Sequence, residues 1–278
     1  MRGSGFRADS LSVQEIKEVE MNLGLAGKRV LVTGSTRGIG LAIARAFLQE
    51  GARVAVSSRD EVKVRDVAKT LAASYVSNSV LAIRCDFRIS GDVAVMRDEI
   101  LREWKGLDIL VANVGCGRSV SDPIPSLGHF EEVFSQNFSV AVNAAREFLP
   151  LLEATGGNVV FISSVAGMEA FGAPVDYSVA KTAVISFSKN VSRKVAGRGV
   201  RVNCIAPGNV YFEGGSWEEK MKGDPGAVNR LIESTVPMKR FGTPDEIADA
   251  VLFVSSERAS FITGAVLSVD GGQTVTIF

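Results

Sequence analysis

The stretch RVLVTGSTRGIG, Arg29 to Gly40, decides the fold. Its first half is apolar and β-branched, the composition of a buried strand. Its second half carries glycines at 34, 38 and 40, and LAIARAFLQEGA (41–52) follows with apolar residues at helical spacing and a closing glycine. Strand, glycine turn and helix in that order make a phosphate cradle. Glycines let the backbone turn sharply and approach a pyrophosphate, while the helix N-terminus offers free N–H groups and a positive dipole end. The candidate dinucleotide contacts in this turn are Gly34, Ser35, Thr36, Arg37, Gly38, Ile39 and Gly40.

The same alternation continues outward. RVAVSS (53–58), VLAIRCD (80–86), LDILVAN (107–113), NVVFISS (158–164), VRVNCIAP (200–207) and AVLSVDGG (265–272) read as further strands. Helical patterns fill 60–76, 90–105, 130–154 with a break near Pro150, 175–197 and 244–256. Residues 209–240 read as an irregular, glycine- and charge-rich substrate loop. Strands alternating with helices predict a single α/β domain over 28–278, a Rossmann-type doubly wound parallel sheet of about seven strands with helices on both faces. Residues 1–27 form an N-terminal extension. It reads as lacking the apolar core of a signal peptide, with a short helix over 11–23.

Composition narrows the function. Of 278 residues 46% are hydrophobic, and 31 basic side chains balance 31 acidic ones, so no global charge points to nucleic acid or a membrane. Cys85, Cys116 and Cys204 are scattered and read as reduced thiols of a cytoplasmic protein. The single histidine, His129, leaves no basis for a histidine metal site or triad and reads as a surface residue at a helix start. No metal is expected.

DYSVAKTAV, Asp176 to Val184, sets Tyr177 and Lys181 four residues apart, on one face of a helix. A free phenol titrates near ~10, and a neighbouring ammonium favours its ionised form. Such a pair suits proton delivery to a carbonyl oxygen that has received a hydride. Together with TGSTRGIG, these residues resemble the classical short-chain dehydrogenase/reductase family, whose turn is T-G-x-x-x-G-x-G and whose catalytic pair is Y-x-x-x-K. The pattern is closest to the 3-oxoacyl-thioester (acyl-carrier-protein) reductases, and VPMKRFGTPDEIA and SVDGG belong to it. The resemblance spans roughly 25–273. It implies a tetrad of Asn137, Ser164, Tyr177 and Lys181. Ser164 would donate to the substrate oxygen, Lys181 would hold the nicotinamide ribose, and Asn137 would anchor a water leading from Lys181 to solvent. It further implies cofactor contacts from Asp86, Phe87, Asn113, Gly115, Pro207, Gly208 and Val210. The family's threonine four residues after Gly208 is Phe212 here.

The second strand ends in Ser57, Ser58 and Arg59, with no acid to bond a ribose 2′-hydroxyl. Ser58, Arg59 and Arg37 instead favour the 2′-phosphate of NADP(H), leaving NAD(H) open. Arg118, Met168, Tyr211, Phe212 and Trp217 are the candidate substrate contacts. The expected activity is NADPH-dependent reduction of a 3-oxoacyl thioester or similar small ketone. The alternatives are an NAD-dependent alcohol or sugar dehydrogenase and a non-catalytic cofactor-binding regulator. Arg198 suits a docked acidic carrier protein, whereas Glu153 and Thr155 nearby do not. The resemblance implies a homotetramer.

Overall fold

The structure, a computed structural model, describes residues 22–75 and 79–277. The helix expected over 11–23 therefore falls almost wholly outside the described residues. Seven strands form one sheet: β1 Arg29–Val32, β2 Arg53–Ser58, β3 Val80–Arg84, β4 Ile109–Ala112, β5 Asn158–Ile162, β6 Arg201–Pro207 and β7 Val266–Val269. All pairings are parallel, in the order β3-β2-β1-β4-β5-β6-β7.

The strands are apolar on both faces, and successive residues serve different cores. Val30 and Val32 pack with α1 (Gly38–Gln49), α2 (Glu61–Ser74) and α9 (Pro244–Ser255). Leu31 points the other way, into a cluster with α3 (Ser90–Trp104), α5 (Val140–Thr155) and α6 (Val175–Val195). The strand order reverses between β1 and β4, and in such sheets the crevice beyond the strand C-termini at that reversal takes the ligand.

Two expectations about the elements are corrected. The helix that begins as α4 (Leu127–Phe134) is not broken at Pro150; α5 runs through it to Thr155. Pro150 and Arg146 are both exposed, so the carbonyl that the missing N–H leaves free lies on the solvent side of the helix. The irregularity lies earlier, in a π-turn over Ser135–Ser139. Residues 209–240 are not irregular throughout. They hold α7 (Ser216–Gly223) and α8 (Pro225–Thr235), the latter capped by Asp224, whose side chain accepts from Ala227 N, with Pro225 in the first turn.

The opposite, N-terminal ends of the strands are tied by arginines. Arg29 forks onto Asp108 at 2.7 Å on both carboxylate oxygens. Arg201 donates to the carbonyls of Val254, Ser255 and Ser256, satisfying the end of α9.

Candidate active site

The glycine turn sits at the reversal of strand order. Gly34 and Gly38 have φ of 65° and 53°, a region side chains rarely adopt. Gly40 is fixed by contact, since a Cβ there would lie 2.4 Å from the Gly34 carbonyl. Asn113, beyond β4, donates to the carbonyls of Thr33 at 3.0 Å and Gly34 at 3.2 Å, locking the turn to the neighbouring loop. Ser35 is buried and structural; its hydroxyl donates to Val32 O and accepts from Ser57 N. Ile39 packs against the core beneath the turn.

A groove runs away from the turn, lined by Gly34, Thr36, Arg37, Ser58, Arg59, Asp86, Phe87, Asn113 and Gly115 among others. Its far end gathers Arg37, Arg59, Lys63 and Arg88 around Asp60 and Asp86. Arg88, absent from the sequence reading, forks onto Asp86 and holds that carboxyl below the usual range. Arg59 has no ion pair among the described residues. Arg37 donates to Gly214 O at 2.8 Å, reaching the segment before α7. The glycine cradle and the groove fit a dinucleotide.

The catalytic candidates converge at the other end of the groove. Ser164 caps a short 3₁₀ turn after β5, its hydroxyl accepting from Ala166 N at 3.2 Å, and it lines the same cavity as Tyr177. Ser163 points elsewhere, into the backbone of α6 through Lys181 O. Lys181 Nζ donates to Ile162 O at 3.1 Å and lies 5.7 Å from the Tyr177 ring centre. Asn137 sits in the π-turn, where its side chain accepts from Cys116 N and donates to Cys116 O and Val133 O. Gly115 leaves room for both, since a Cβ there would stand 2.9 Å from Lys181 Nζ and 3.0 Å from Asn137 Oδ1.

The electrostatics differ from expectation. Desolvation raises the Tyr177 hydroxyl above its ordinary value, and the nearby Ser164 hydroxyl only partly opposes this. Burial also lowers Lys181 to about 8. The phenol therefore keeps its proton at neutral pH, the state of an acid ready to give one.

A second cavity opens beside the tetrad. Ser164, Tyr177, Phe171, Asn209, Trp217, Thr235 and Gln273 contribute to its wall. Of the substrate candidates, Trp217 lines it. Tyr211 packs on Phe241, and Met168 Sδ accepts from Ser268 Oγ at 3.4 Å. Phe212 lies over the glycine turn, its ring 2.6 Å from where a Gly38 Cβ would sit. Arg118 grips Glu219 of α7. Gly208 is held to β7 through Val269 O, and a Cβ there would strike Asp270. Pro207 ends β6, and Val210 is buried and bridges Gly242.

Residues 34–274 match the family model described as enoyl-(acyl carrier protein) reductase. The chain belongs to the short-chain dehydrogenase/reductase family. It is 36% identical over 259 residues to dehydrogenase/reductase SDR family member 4 of Rattus norvegicus, covering 89% of this chain and 88% of the relative. It is 35% identical over 259 residues to the 3-oxoacyl-(acyl-carrier-protein) reductase of Aquifex aeolicus, covering 91% and 100%. Among solved structures, L-sorbose reductase of Gluconobacter frateurii, complexed with NADPH and L-sorbose, superimposes with a TM-score of 0.86 at 30% identity, covering 92% and 100%. The chain is an NAD(P)-dependent oxidoreductase. Among the described residues, no helix is long and apolar enough to cross a membrane and no cluster of metal-binding side chains occurs.

Proposed function

We propose that this short-chain dehydrogenase/reductase uses NADPH to reduce a small ketone, with a 3-oxoacyl thioester as the leading substrate. The observation that carries the reading is that the half-buried Tyr177 and Ser164 line one cavity, with Lys181 one helical turn from the tyrosine. Bound NADPH supplies the hydride. Ser164 and Tyr177 aim hydroxyl donors at the oxygen where charge develops, and Tyr177 delivers the proton. Lys181, one turn away, favours the charge left on the phenol. The basic end of the groove, with Arg59 unpaired among the described residues, supports NADPH over NADH.

The thioester is taken free rather than on a docked carrier protein. Arg198 is ion-paired to Glu153 at 2.8 Å, which offsets the charge an acidic partner would seek. A second reading, a hydroxylated ketone, is favoured by Asn209, Thr235 and Gln273 in the cavity wall. The Gln273 amide oxygen is buried without a hydrogen-bond partner among the described residues and suits a substrate hydroxyl. The family's usual tetramer is proposed as the assembly.

The test follows NADPH and NADH oxidation with an acetoacetyl thioester and a ketose panel. Tyr177→Phe is expected to lower kcat by about 10²–10⁴-fold, the usual share of a general acid. Arg59→Ala is expected to raise the KM for NADPH and leave that for NADH unchanged. Equal use of both nucleotides by the wild type would overturn the NADPH preference.

A further inference from the structure

We propose that Ser119 and His129 form, around the buried Asp176 carboxylate, a positioning cluster that locks the wall of the substrate cavity to the catalytic helix. The inference rests on the reductase reading for its kinetic consequences, but its geometry stands apart from that reading. Asp176 precedes Tyr177 in the first turn of α6, and its side chain has 0% exposure. An acid at a helix start is favoured by the dipole, yet a solvated one gains the same benefit without losing its hydration. The burial needs another account.

The contacts supply it. Ser119 Oγ lies 2.7 Å from each carboxylate oxygen, and Tyr177 N donates to Oδ1 at 2.7 Å. His129 Nε2 stands 3.4 Å from Oδ2 and 3.1 Å from Ser119 Oγ. Among the described residues, His129 is the one ion-pairing partner that Asp176 has. A hydroxyl has one proton, and an ionised carboxylate only accepts. Ser119 therefore gives its proton to Asp176 and accepts from His129, so Nε2 carries a hydrogen. The single histidine of the chain, partly exposed at the start of α4, is thus held in one defined hydrogen-bonding role.

Each member belongs to a different functional segment. His129 lies in the first turn of α4, which leads into the π-turn carrying Asn137. Ser119 follows Arg118, which clasps Glu219 of α7, and Gly117, which lines the cavity with Ser164 and Tyr177. Asp176 anchors the start of α6 beside Tyr177. One carboxylate therefore joins the asparagine segment, the cavity wall with its α7 clasp, and the tyrosine helix. None of the three touches the reacting atoms; they position groups that do.

The full-length protein is compared with Ser119→Ala, Ser119→Thr, Asp176→Asn and the double variant Ser119→Ala/Asp176→Asn. Readouts are kcat and KM with NADPH and an acetoacetyl thioester, NADPH affinity by fluorescence, thermal melting, and the NMR signal of the lone imidazole. Loss of a bond to a charged group predicts a fall of about tenfold to a hundredfold in kcat/KM for Ser119→Ala and Asp176→Asn. NADPH affinity should hold, and Ser119→Thr should restore activity. The double variant should be no worse than Asp176→Asn, since the pair acts as a unit. Variants that melt earlier but keep wild-type kcat/KM, or that combine additively, would overturn the proposal. So would a wild-type imidazole whose N–H exchanges freely with solvent. A wild type with a protected imidazole N–H but no turnover on any ketone would sink the reductase reading while supporting the cluster.

Discussion

Lys181 shows how much a single residue's surroundings matter. Burial brings it from 10.5 to about 8, so its ammonium is lost within the working range of an enzyme assay. The unfolded chain holds that proton more tightly. Its contribution therefore weighs against folding most below about pH 8 and relaxes as pH rises toward 10.5. Activity has the opposite sign, because the charge supports the phenolate that forms as Tyr177 gives up its proton. In the reduction direction, kcat/KM should fall as pH rises through about 8. A profile flat across that point would show that the charge is not used. Much of this site was legible from spacing: the glycine turn, Tyr177 with Lys181, and Ser164 thirteen residues before Tyr177. Three features were not. Arg88 joins the basic end only because the turn after β3 folds back on Asp86. Ser119 and His129 meet Asp176 across 57 and 47 residues of sequence, and no periodicity encodes that meeting. The Tyr177 shift follows from burial, which spacing does not report.

At the scale of elements, the strands were readable because a sheet covered on both faces demands continuous apolar runs. Their ends and the helix bounds agree with the pattern within a few residues. The π-turn at Ser135–Ser139 was hidden because its residues keep helical spacing, and only the hydrogen-bond register changes. The helices α7 and α8 were masked by glycines and charges, although Asp224 before Pro225 is a start signal. A junction sensitive to substitution is Gly167, in the 3₁₀ turn after Ser164. A Cβ there would lie 2.6 Å from the Lys181 carbonyl carbon, so the turn and α6 pack backbone to backbone. Gly167→Ala is expected to cost about 1–3 kcal/mol by overpacking. It should also lower kcat in the fraction that remains folded, because relief of the clash separates Ser164 from Tyr177. Melting and kcat measured on one preparation test both; a normal kcat with normal stability would show that the interface gives way elsewhere.

For the whole molecule, the sheet order joins two halves at β1 and β4, and the glycine turn and Asn113 face one another across that seam. Val30 pairs with Ile109, 79 residues later, whereas Arg29 pairs with Arg53 only 24 later. Distant pairings are slow to form because the entropy of closing the intervening chain is lost before contacts repay it. The helices, by contrast, are local. On dilution from denaturant, the helical circular dichroism should return well before turnover does, and the lag should measure closure of the seam. Simultaneous recovery would show that the halves meet early. The parallel architecture that gives the enzyme its crevice thus also sets its clock: a newly made chain acquires shape before it acquires chemistry, and in that interval the unclosed edge of β1 is open to the wrong partner.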